Sequence, residues 1–177
     1  LERHESEHQH DHNGTNDPHV WTSPANVIWI TRLIEETLSQ LDPGQREMYK
    51  TAADRFIDEL KQLDREIARK TRTLENRNLI VSHPSWTYFA ADYGFEQHSI
   101  EQRGKEIQAA AMVRLIRLAR ERNIGAVFVQ PQFSKRSAEA IARELNASVL
   151  ELDPLALNYI ENMQQVTDNI VRGLSGE

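Results

Sequence analysis

From residue 79 onward the chain alternates short apolar runs with amphipathic helical stretches. Leu79-Ile80-Val81, Phe95–Ile100, Ala126–Val129 and Ser148–Leu152 read as strands. Ser85–Tyr93, Ile107–Arg122, a stretch capped by Ser134 and running through Leu145, and Tyr159–Leu174 read as helices. Strands separated by helices imply an α/β fold with a four-stranded, mostly parallel sheet and helices on both faces. Three of the strands end on a polar residue followed directly by proline: His83-Pro84, Gln130-Pro131 and Asp153-Pro154. Proline has no N–H to give to a ladder, so each of these residues sits where the backbone leaves the sheet. Parallel strands put their carboxyl ends on one edge, where ligands of open α/β sheets bind.

The preceding segment is helical. Ser23 reads as an N-cap with Pro24 at the first helical position, and Ile30, Leu33, Ile34, Leu38 and Leu41 mark one face. Asp42-Pro43-Gly44-Gln45 ends that helix and starts a second. The second runs from about Pro43 to Leu74 with the apolar line Met48, Ala52, Phe56, Leu60, Leu63, Ile67 and Leu74. At ~1.5 Å per residue it is a rod of roughly 48 Å, suited to a spine between two lobes, and only one lobe follows it.

With 177 residues the chain can build a core without staples. It contains no cysteine, which excludes disulfides, thiolate metal sites and thiol nucleophiles. Its apolar runs are too short to span a membrane, and a net charge of −6 argues against non-specific nucleic-acid binding. Residues 1–17 carry five acidic residues against Arg3 alone, so the body of the chain is nearly neutral. Residues 1–16 have little to bury and are expected to be flexible. Within them His4, His8, His10 and His12 form a loose tract for auxiliary metal capture; its bland reading is solvated low-complexity sequence. Because the chain starts at Leu1, a targeting sequence is expected upstream.

His83 and Asp153 are expected to meet at the sheet edge. His19, in the Asp17–Trp21 turn, reaches the same edge if that turn folds over it. Two neutral imidazoles and a carboxylate suit tetrahedral Zn²⁺. The bland alternatives are a structural strand-end histidine and ordinary Asp-Pro turns. His98 is assigned to a strand without a role, and Tyr88, Phe89 and Tyr93 to the core. No phosphate-cradling glycine loop, His-Glu-x-x-His helix or Gly-x-Ser-x-Gly elbow occurs.

The order of motifs is distinctive: a His/Asp-rich tract, DPHVW at 17–21, a long helix, VSHPSWTYFAADYG at 81–94, IEQRGKE at 100–106, VFVQPQFSKRSAEAIA at 127–142 and LDPL at 152–155. Together they resemble the substrate-binding proteins of zinc/manganese ABC transporters. The resemblance covers nearly the whole chain from Asp17. It implies two α/β lobes joined by one long helix, with the metal between them and His19, His83 and Asp153 among its ligands. A further histidine would come from an amino-terminal lobe. Residues 17–42 would then be a remnant of that lobe, 43–77 the spine and 78–177 the complete second lobe.

Manganese-type members generally have glutamate at the position of His83, so the histidine and the His-rich tract point to zinc. Gln130 departs from the glutamate of many relatives and is read as lying outside the ligand set. The implied function is an extracytoplasmic receptor, not an enzyme, that captures Zn²⁺ and hands it to an ABC-type membrane permease. Manganese or iron is the alternative cargo. The rival classes are a zinc hydrolase, for which Glu151 and Glu161 are the nearest acids in sequence, and an adhesin. Apolar surface around Trp21, Ile28 and Trp29 is expected to favour self-association of this segment.

Overall fold

The computed structural model describes residues 17–102 and 105–175. Its elements are α1 (Pro24–Leu41), α2 (Arg46–Thr71), β1 (Asn78–Val81), α3 (Thr87–Tyr93), β2 (Glu96–Ser99), β3 (Glu101–Gln102), β4 (Lys105–Glu106), α4 (Ala109–Glu121), β5 (Ala126–Val129), α5 (Arg136–Leu145), β6 (Ser148–Glu151) and α6 (Tyr159–Ser175). Short 3₁₀ turns occupy Val20–Thr22 and Pro43–Gln45.

The four main strands form one parallel sheet in the order β2-β1-β5-β6. Side chains of successive strand residues point to opposite faces, and the core divides accordingly. Leu79, Val81, Ala126 and Phe128 face α2, α3 and α6, where Leu63, Ile67, Phe89, Met163 and Ile170 are buried. Ile80, Val127 and Val129 face α4 and α5, where Leu115, Ala119, Ala138 and Ile141 are buried. The strand following β1 in sequence lies on one side of it and β5 lies on the other. The order therefore reverses between β1 and β5, which puts a crevice at the carboxyl ends of those two strands.

Three helical expectations change. The long helix is 26 residues, about 39 Å, and it ends at Thr71. The chain must then turn back to feed β1. Arg77 stabilises that turn by donating to the carbonyls of Arg72 and Tyr93. The buried stripe of α2 is Ala53, Ile57, Leu60, Leu63, Ile67 and Thr71, whereas Met48 is exposed. Ala52 and Phe56 line a groove against α1 instead, with Ile34, Leu38 and Tyr49. Third, the apolar face expected of α1 is largely uncovered, with Leu33 49%, Ile34 53% and Leu41 77% exposed.

On α4, Leu115 and Ala119 are buried while Val113 points outward. The antiparallel pair β3–β4 was not expected. It takes Glu101–Gln102 and Lys105–Glu106 from the segment before α4, and that helix starts at Ala109.

Candidate metal centre

Serine caps α1 as expected: the Ser23 hydroxyl accepts from the Asn26 N–H at 3.1 Å. The turn before it, Asp17–Thr22, is tied to the sheet-bearing part of the molecule by three long-range hydrogen bonds. Tyr88 donates its hydroxyl to the Asp17 carbonyl at 3.0 Å. Trp21 donates its indole N–H to the Pro154 carbonyl at 2.8 Å. Tyr159 donates its hydroxyl to the Trp21 carbonyl at 3.0 Å. Burial, with the Asp92 charge nearby, pushes the Tyr159 hydroxyl above its ordinary value, so it remains a donor.

This turn delivers His19 to the carboxyl end of β1, where His83 waits. The two rings meet edge to face, with centroids 5.5 Å apart and planes at 80°. Each imidazole has its own carboxylate. Asp17 Oδ1 lies 2.6 Å from His19 Nδ1 and accepts the His19 backbone N–H at 2.9 Å. Glu101 Oε1 lies 3.1 Å from His83 Nδ1. All four side chains are about one-fifth exposed, at 19%/22% and 21%/19% for the two pairs. Burial pushes the Asp17 carboxyl up. Hydrogen bonds from the His19 backbone, Thr87 and the His19 ring, with the charge of that ring, outweigh it and hold the group below its ordinary value. An ionised carboxylate at Nδ1 accepts a proton from that nitrogen and leaves Nε2 with the lone pair a metal needs.

Phe133 lies nearly parallel to His83, with centroids 4.7 Å apart and 17° between planes. The loop behind His83 is fixed from several sides. Ser82 donates its N–H to the Phe128 carbonyl at 2.8 Å, and Ser85 donates to the His83 carbonyl at 2.9 Å. Trp86 donates to the Gln97 side chain at 2.7 Å. Gln130 is buried beneath this loop with its amide on the Ser85 hydroxyl.

Asp153 sits at the same sheet edge with a different occupation. Its Oδ1 accepts from Gln132 Nε2 at 2.7 Å and from the Leu155 N–H at 2.9 Å, closing the turn that leaves β6. The Trp21–Pro154 bond brings the His19 turn alongside it. Among the described residues, however, no group of three or more His, Asp or Glu side chains is arranged to hold a metal ion. The structure thus pairs His19 with His83 and leaves the Asp153 carboxylate in its turn. His4, His8, His10 and His12 lie outside the described residues. His98 is bound at Nε2 to Asn78 Oδ1 at 3.0 Å, in strand β2.

Sequence reasoning missed Glu101. The register β1–β2 pairs Val81 with Ser99; carried two residues further, it sets Glu101 level with His83. That offset would have identified the glutamate, but it is a property of the folded pairing and not of local sequence.

A putative metal-binding protein of Chlamydia trachomatis serovar D is 32% identical over 148 residues, covering 83% of this chain and 54% of that protein. A crystal structure of ZnuA superposes with a TM-score of 0.86 at 40% identity, covering 89% of this chain and 60% of the other. A ZnuA deletion mutant with zinc bound gives a TM-score of 0.88 at 40% identity, covering 93% and 63%. The chain thus spans about half the length of this curated relative. Residues 1–173 match the model of one family throughout. The chain belongs to the family described as zinc-uptake complex component A, periplasmic.

Proposed function

We propose that this chain is the zinc-holding part of an extracytoplasmic receptor that captures Zn²⁺ and delivers it to an ABC-type membrane permease. The observation that carries the reading is the meeting of His19 and His83, two imidazoles from distant stretches, each braced at Nδ1 by a carboxylate. Two imidazole donors suit zinc better than manganese, which prefers oxygen ligands. The zinc-bound ZnuA relative supports the same cargo.

On this reading His19 and His83 are ligands. Asp153 is the candidate carboxylate once its Oδ1 is released by Gln132 and Leu155, and otherwise water takes its place. A further histidine comes from an amino-terminal lobe, and residues 17–42 pack with that lobe while α2 spans to the second. The His4–His12 tract serves as an auxiliary collector that raises zinc concentration near the centre. The family is one of binding proteins, so the zinc is cargo and no bond of a substrate is cleaved.

Zinc titration calorimetry on the full-length protein tests this. His83→Ala and His19→Ala are each expected to weaken zinc binding by more than the roughly 10- to 100-fold that loss of an outer partner costs. Wild-type affinity in either variant would remove the centre from this position.

A further inference from the structure

The two imidazoles have matched surroundings although their partners come from unrelated elements. Asp17 precedes His19 by two residues in a turn, while Glu101 arrives from β3, which follows β2, the strand paired with the one that leads to His83. Both carboxylates bind Nδ1 and both are about four-fifths shielded from solvent. A neutral histidine whose Nδ1–H is claimed by a carboxylate has one nitrogen left for an ion, Nε2. The claim also enriches that nitrogen, because the carboxylate draws on the Nδ1 proton.

Charge gives a second argument. Two neutral imidazoles contribute no charge toward a dication. Asp17 and Glu101 contribute two negative charges from the far side of each ring. A divalent ion held by the two Nε2 atoms is therefore balanced by Asp17 and Glu101 without their own oxygens touching it. Hard ions such as Mn²⁺ and Mg²⁺ favour oxygen contact, whereas zinc accepts nitrogen. Holding the oxygens at Nδ1 supplies the attraction and withholds the contact.

We infer that Asp17 and Glu101 are positioning residues that set the tautomer of His19 and His83 and balance a dication from outside its ligand shell, making the centre select for a nitrogen-preferring ion. The inference builds on the reading of His19 and His83 as zinc ligands. Glu101 is the residue on which the two roles separate. Glu101→Gln keeps an acceptor for the Nδ1–H and removes the charge. Glu101→Leu removes both.

The test uses the full-length protein with two measurements: nitrogen-15 NMR of the histidine rings without metal, and calorimetric titration with zinc chloride and with manganese chloride. The wild type is expected to show Nδ1–H on both His19 and His83. Glu101→Gln should retain that tautomer at His83 with weaker zinc binding. Glu101→Leu should shift His83 toward Nε2–H and lower zinc affinity by about 10- to 100-fold. Asp17→Asn should reproduce the Gln result at His19. None of these variants should gain manganese binding. Circular dichroism melts establish that each variant folds.

An Nε2–H tautomer at His83 in the wild type overturns the inference. So does zinc binding that His83→Ala abolishes but Glu101→Leu leaves unchanged, and in that case the ligand reading survives. A wild-type protein that takes up no zinc overturns the ligand reading and this inference together.

Discussion

His98 is a histidine that the site does not use, and it controls stability in a predictable direction. Burial lowers its pKa below the ordinary 6.5, with the Glu96 carboxylate pulling partly the other way. The neutral ring donates Nε2–H to Asn78 Oδ1 across the β1–β2 pair. Because the folded-state pKa is depressed, the unfolded chain binds the proton first as pH falls. Stability is therefore complete above the unfolded value and declines as pH drops from about 6.5 toward the folded value. Urea midpoints measured across that range should fall, and His98→Gln should flatten the decline.

Residues of this kind explain what could be read directly. His19 and His83 stood out because prolines mark the turns that carry them, and proline acts locally. Glu101 did not stand out, because only the strand register places it beside His83. Asp153 was placed at the correct edge, but its bonds to Gln132 and Leu155 depend on loop geometry that spacing does not encode.

Among the elements, α6 is seated closely on the sheet at Gly173. Gly173 faces the sheet so closely that an added Cβ would lie 2.6 Å from Ala126 Cβ and 2.9 Å from both Leu150 Cδ1 and Phe128 Cζ. Ala126 is a strand residue in the core and cannot swing aside. Gly173→Ala should therefore push α6 off β5 and β6 at a cost of roughly 1–3 kcal/mol, measurable by thermal or urea denaturation. A helix-propensity argument alone predicts the opposite sign, since alanine favours helices over glycine.

The strands and the helices after residue 79 were legible because apolar runs and caps are local signals. On α2 the later part of the apolar line, Leu60, Leu63 and Ile67, is buried as read, whereas the earlier part of that line and the face of α1 were not legible. Both helices are amphipathic, and the apolar residues on α1 outnumber the partners that the described elements offer. Periodicity locates a stripe and says nothing about what covers it.

For the whole molecule, the organising feature is that α2 packs at its amino half against α1 and at its carboxyl half against α6. Arg32 pairs with Asp54 at 2.6 Å near one end, and Lys70 pairs with Asp168 near the other. No helix among the described residues is long and apolar enough to cross a membrane. The Asp17–Thr22 turn is fastened to the sheet by Tyr88, Trp21 and Tyr159. Trp21→Phe removes the bond to the Pro154 carbonyl and should loosen the turn without unfolding the sheet. Faster amide hydrogen exchange at Val20–Ser23, with weaker zinc binding and little change in the exchange of β1 and β5, is the expected outcome.

That fastening has a kinetic consequence. Two jaws bolted to one frame do not part when the frame bends, so on the proposed reading a zinc ion held by His19 and His83 should leave by breaking coordination bonds one at a time. Stopped-flow transfer of zinc to a chelator should then accelerate with chelator concentration, as an attacking ligand takes over each vacated position. Added glycerol, which slows the drift of large bodies through solvent, should leave the rate nearly unaltered.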